Sequence, residues 1–145
     1  MSIIKEIYDV TRDASKLKGK VSSIKKALKT ELKLNRKFLK EIEQSKPVDD
    51  KRRKKIIEML EINELSAAIK YDIPYKLICH KKVSEELAKE FKLKYVAGYD
   101  FEKLIESQYL KISYLKKDYE NPAISLKARL RNIYKQNRIL LKLLE

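Results

Sequence analysis

A chain of 145 residues with 35 Lys and Arg against 21 Asp and Glu carries a formal charge of +14 and is of a length for one domain spanning 1–145. Two glycines and three prolines leave little material for turns, which disfavours a sheet protein and favours an all-α one. The single Cys79 excludes an internal disulfide and fits a cytoplasmic chain, while the lack of any apolar run near the ~18 residues of a spanning helix argues against a membrane span or signal peptide.

Apolar residues recur at steps of four and three from the start: Ile3, Ile7, Val10, Ala14, Leu17, Val21, Ile24, Leu28, then Phe38 and Ile42. The heptad spacing predicts one coiled-coil-like helix of about 40 residues, roughly 60 Å long. Its outer line holds Lys5, Arg12, Lys26, Lys33 and Lys40, flanked by Lys16, Lys29, Arg36 and Lys37, with Gly19 as a place for a bend. Glu31 and Asn35 interrupt the seam. They either fix register, as a buried Asn does in a coiled coil, or mark where the helix outgrows its partners and its seam from Glu31 to Ile42 lies open.

Gln44-Ser45-Lys46-Pro47 ends that helix, because the residue before a proline is driven out of the α region. Asp49 or Asp50 suits the N-cap of a second helix running to about Tyr71. Its first turns contain Lys51-Arg52-Arg53-Lys54-Lys55, read first as a solvated helix start, with a nucleic-acid patch as the competing reading. Between Asp72 and Gly98, Tyr75–Cys79 suits a short strand or a helical turn, and Ser84 caps a short helix over Glu85–Lys92. The run from Ser84 to Phe91 loosely resembles the first helix of a helix-turn-helix, but Lys92 stands where the turn usually has glycine, and a packing helix is expected instead.

A fourth helix follows Gly98, with Phe101, Ile105, Ile112, Leu115 and Tyr119 on one seam and Gln108 within it. Asn121-Pro122 reads as the N-cap and first position of a fifth helix, whose seam is Ala123, Leu126, Leu130, Ile133, Asn137, Leu140 and Leu144. So short a junction makes these two helices antiparallel and brings Gln108 and Asn137 within reach of one polar layer. The expected architecture is an all-α, elongated antiparallel bundle of four main helices plus one short helix.

Catalytic constellations are not evident. His80 and Cys79 are the lone imidazole and thiol, too few for a zinc site, and two glycines cannot build a phosphate loop. No catalytic, cofactor or metal residue is therefore assigned, and His80 is expected at the surface. What stands out is charge. Residues 1–45 hold 12 basic and 6 acidic groups and residues 121–145 hold 6 and 1, together 11 of the 14 net charges. On the last helix Lys127, Arg131, Lys135, Arg138 and Lys142 fall within about 80° of arc, turned away from the seam.

The sequence thus predicts a non-enzymatic binding or adaptor protein that meets a protein partner, or a second copy, through its open seam. The alternative is a sequence-tolerant nucleic-acid binder using Lys26, Lys33 and Lys40 of the first helix with the five basic residues of the last. That reading requires the two helices to be neighbours. Membrane docking is the weaker alternative, for the basic helices offer no Trp or Phe face to insert. The nine tyrosines suit rims of the bundle or, alternatively, stacking on bases.

Overall fold

A computed structural model describes residues 1–11, 18–43 and 47–145. Among the described residues it is all-α, with one isolated backbone bridge, Lys82 to Asp100. The helices are α1 (Ile3–Thr11), α2 (Val21–Leu39), α3 (Asp50–Met59), α4 (Asn63–Lys70), α5 (Tyr75–Ile78), α6 (Glu85–Glu90), α7 (Phe101–Asp118) and α8 (Leu126–Leu143). The expected count of four main helices is therefore corrected, since the first two predicted helices are each divided in two.

The first division reverses the chain. Ile3 lines one surface cleft together with Ala27, Thr30 and Leu34 of α2, whereas on one continuous helix Ile3 and Leu34 would stand about 46 Å apart. At the other end of α1, Val10 and Thr11 share a cleft with Lys20. So α1 lies back along α2, and the 40-residue helix is replaced by a helical hairpin. Gly19 sits in a 3-10 turn just before α2. Ala14, Leu17, Arg12 and Lys16 of the predicted seam and outer line, and the break residues Gln44, Ser45 and Lys46, lie outside the described residues.

The second division has no glycine or proline to signal it. At Leu60 the backbone turns extended (φ −64, ψ 136), and α2 supplies what the broken helix loses. Asn35 pairs with both backbone groups of Glu61, Nδ2 donating to the carbonyl at 2.7 Å and Oδ1 accepting the N–H at 2.8 Å. Glu31 then accepts the N–H groups of Glu64 and Leu65, both at 2.9 Å, capping α4. Glu64 repeats the device, accepting the N–H groups of Ile3 and Ile4 at the start of α1, at 2.6 and 3.2 Å. A carboxylate facing the unpaired N–H groups of a helix start suits the positive end of its dipole. These polar residues are structural. They hold two helix starts, and the seam expected to lie open is filled: Glu31, Asn35 and Leu39 are buried, and Phe38 and Ile42 pack against the core.

Local signals elsewhere hold with small shifts. Asp49 caps α3, Ser84 caps α6 and Asp100 caps α7. The 75–78 segment is a helical turn rather than a strand. The cap of α8 is Ser125, not Asn121, which instead closes a turn by accepting Ala123 N–H at 3.0 Å. Lys92 adopts the left-handed conformation (φ 56) that the missing turn glycine would take. A 3-10 turn over Lys94–Val96 follows it in place of a recognition helix.

The core forms around α8, which packs against α2, α7 and α3. Both long packings are antiparallel: Asn137 donates to Leu32 O and Arg131 approaches Glu43, while Gln108 donates to Ile133 O and accepts from Gln136 Nε2. The polar layer between α7 and α8 is therefore Gln108–Gln136, and Asn137 turns to α2. Asn137 is fully buried, and its Oδ1 has no donor among the described residues. A buried acceptor without a partner costs about 1–3 kcal/mol. Asn137→Leu is accordingly expected to raise the unfolding free energy by about 1 kcal/mol, seen as a higher urea midpoint at unchanged slope; a lower midpoint would show that the hydrogen bond to Leu32 outweighs the unpaired oxygen.

Candidate functional site

Three basic stretches compete as a site, and their partners separate them. The run from Lys51 to Lys55 at the head of α3 is largely neutralised. Arg52 makes a two-pronged pair with Glu41 (2.7 and 2.6 Å), Arg53 meets Asp50, Lys54 meets Glu120, and Lys55 lies 3.9 Å from Glu58. Glu41 is held below the usual carboxylate range by the Arg52 hydrogen bonds. Each pair contributes little stability at the surface, but together they cancel the local charge. This is a salt-bridged helix start.

Helices α2 and α8 differ. α2 carries Lys25, Lys26, Lys29, Lys33, Arg36 and Lys37 with one acid, the buried Glu31; α8 carries Lys127, Arg129, Arg131, Lys135, Arg138 and Lys142 with none. Of these twelve cations, only Arg131 has an ion pair among the described residues, with Glu43 at the limit of 4.0 Å. Their neighbourhood is set by the antiparallel α2–α8 packing. Lys25, Lys29, Leu32 and Arg36 follow one another at steps of four, three and four, as do Lys127, Arg131, Tyr134 and Arg138 on α8. Each set forms one stripe. Leu32 lies against α8 through Asn137, so the α2 stripe borders the junction from one side and the α8 stripe from the other. The condition set by the sequence is met: the two basic helices are neighbours.

The individual residues fall into two groups. Lys127, Arg131, Arg138 and Lys142 are exposed and Lys135 is half-buried, all on the side of α8 away from the core. Lys26 and Lys33 of α2 and Lys40 of the 3-10 turn that follows it are exposed as well, but lie farther round from Leu32 than Lys25, Lys29 and Arg36 do. Lys25, Lys29 and Arg36 are the α2 cations nearer α8. Lys25, Lys29 and Arg36 all lie outside the residues that the sequence marks for binding, and their spacing from Leu32 is the signal that identifies them. Arg138 is held in place by two rings, its guanidinium 4.8 Å from the centre of Phe91 and 5.5 Å from that of Tyr134, an arrangement that fixes the charge without neutralising it.

Other residues with chemical potential are placed apart from this face. His80 is exposed, and Cys79 is buried with its thiol 3.5 Å from Leu143 O. Burial pushes the hydroxyl of Tyr95 up to about 12, so it is a neutral donor at any ordinary pH. Among the described residues no helix is long and apolar enough to cross a membrane, and no three His, Cys, Asp or Glu side chains gather as a metal site would need. Comparison with protein-family models, with curated proteins and with solved structures found no match.

Proposed function

We propose that this chain is a binding protein for nucleic acid, gripping the phosphate backbone with the joined basic faces of α2 and α8 and tolerating any sequence. One observation carries the reading: twelve cations on two adjacent antiparallel helices with one ion pair among the described residues, where the basic run at the head of α3 is salt-bridged. Neutralising a phosphate backbone releases counterions, which makes such an array favourable for binding. A row of cations with so few ion pairs is costly through self-repulsion. A ligand of matching charge offsets it.

The protein-adaptor reading draws part of its support from an open seam beyond Glu31, and Glu31, Asn35 and Leu39 of that seam are buried. Titration against RNA, DNA and acidic vesicles at about 50 and 200 mM salt separates the partners. Nucleic acid is expected to bind at low salt and lose about 10³-fold or more at the higher salt if six or more phosphates are neutralised. Binding to vesicles alone, or no binding at the lower salt, would overturn the proposal.

A further inference from the structure

Beside the basic face, on the α7 side of α8, the surface changes character. Tyr95 stands there, 44 % exposed as a residue, with its hydroxyl anchored, donating to Gln136 Oε1 at 2.6 Å. Gln136 is fully buried and bonded in turn to Ser107 and Gln108, so the ring is held rigidly at the surface by a core network. Lys111 Nζ lies 4.9 Å from the centre of that ring. One turn further along α7, Tyr114 is 59 % exposed, and its neighbour Leu110 is 62 % exposed. Large rings and a leucine left open on one helix face call for a contact that water does not supply.

Charge at the same place has no counterpart. Lys111 is half-buried, and Arg129, at the first turn of α8, acts on it across the groove; burial and that neighbouring cation both hold the Lys111 amine below the usual lysine range. Neither forms an ion pair among the described residues. Asp118, one turn beyond Tyr114, faces the α7–α8 turn, where it accepts from Asn121 Nδ2 at 3.3 Å. Two cations on the packed helices α7 and α8, beside the part-exposed Tyr95 and the exposed Tyr114, are what a nucleotide unit complements: a phosphate at the cations and a base on a ring.

Resting on the nucleic-acid reading above, we infer that the protein binds single strands, with unpaired bases stacking on Tyr114 and Tyr95 and the intervening phosphate held by Lys111 and Arg129. A duplex keeps its base faces covered and can use only the α2–α8 charges. Stacking on an aromatic side chain tolerates every base, in keeping with a sequence-tolerant binder.

Fluorescence anisotropy with three labelled probes of equal length tests this: oligothymidylate, an abasic phosphodiester strand, and a duplex. Wild type is expected to bind oligothymidylate at least about 25-fold more tightly than the abasic strand, about fivefold for each of two stacked bases. Tyr114→Ala, a surface change remote from the amide network, should cut that preference by about fivefold or more while leaving affinity for the abasic strand unchanged. Lys111→Gln with Arg129→Gln should weaken both strands. Equal binding of abasic and base-bearing strands, or a Tyr114→Ala variant that keeps the full preference, overturns the inference and leaves phosphate binding by α2 and α8 intact. Failure of all three probes to bind overturns both.

Discussion

Glu31→Ala is expected to lower the unfolding free energy by about 2–4 kcal/mol near pH 7. Its carboxylate is the acceptor for two buried N–H groups at the start of α4, and each buried donor left unpaired costs about 1–3 kcal/mol. The loss propagates, because Glu64 at the head of α4 holds the start of α1. Hydrogen exchange should therefore rise first in α1 and the first turn of α4. Glu41→Ala, which breaks the exposed pair with Arg52, should change stability by about 1 kcal/mol at most.

Acidification sharpens the comparison. Burial raises the pKa of Glu31 from 4.5, its two backbone donors pull it back, and the charges of Glu64 and Glu61 add to the rise. A carboxyl whose native pKa lies above its unfolded one contributes stability that is complete below the unfolded value and is lost as pH rises through the native value. Wild type thus gains from Glu31 as pH falls from about 7 towards 5, and the alanine variant cannot. The deficit of Glu31→Ala should be larger near pH 5 than near pH 7 in paired urea titrations, where the other carboxylates cancel. A deficit that shrinks would show that the backbone donors, not burial, dominate this site.

The second large effect is on binding. Replacing Lys127, Arg131, Lys135, Arg138 and Lys142 by Gln should weaken nucleic-acid affinity by about 10²-fold or more at low salt, with the bundle still folded, since none of the five is part of the core. Arg138 is the one member with a packing role, stacked between Phe91 and Tyr134. A four-residue variant that spares it separates charge from packing. If the four-Gln protein melts like wild type and binds as tightly, the stripe is only a solvated face.

Whether a feature is legible in the sequence depends on whether the interaction behind it is local. Apolar periodicity places α7 and α8, and short caps such as Asp49 and Ser84 act within three residues, so the starts of α3 and α6 are written in their own turns, whereas Asn121-Pro122 marks a turn ahead of the Ser125 cap of α8. The reversal between α1 and α2 is different. Ile3, Ile7, Val10 and Ile24, Leu28 keep one heptad phase whether or not they share an axis, since the pattern records an apolar face and not a direction. Val10, 86 % exposed, shows that matching the period does not ensure burial. The break at Leu60 is stabilised from Glu31 and Asn35 on another helix, a tertiary interaction that no local signal carries.

The candidate site divides in the same way. The five α8 cations can be read from spacing alone, because every residue on that arc of α8 faces away from the core. Their α2 neighbours require the packing, which favours Lys25, Lys29 and Arg36 at the junction over Lys26, Lys33 and Lys40. Periodicity selects Asn137 over Gln136 for the polar layer because it assumes one seam, whereas α8 is covered by α2 on one side and α7 on the other. The added apolar residues Ile139, Leu141 and Leu143 are the sign that its buried arc is wider than one seam.

The salt dependence of binding tests the joined basic face most directly. Wild type, the five-Gln α8 variant and an α2 variant with Lys25, Lys29 and Arg36 changed to Gln are titrated with one single strand across a salt series. A shared face predicts a linear decline of log affinity with log salt, and a slope lower in each variant by about 0.7 for every phosphate of the single strand that the variant no longer neutralises. An α2 variant with the slope of wild type, or a wild-type affinity indifferent to salt, would contradict the claim that α2 and α8 bind one phosphate backbone together.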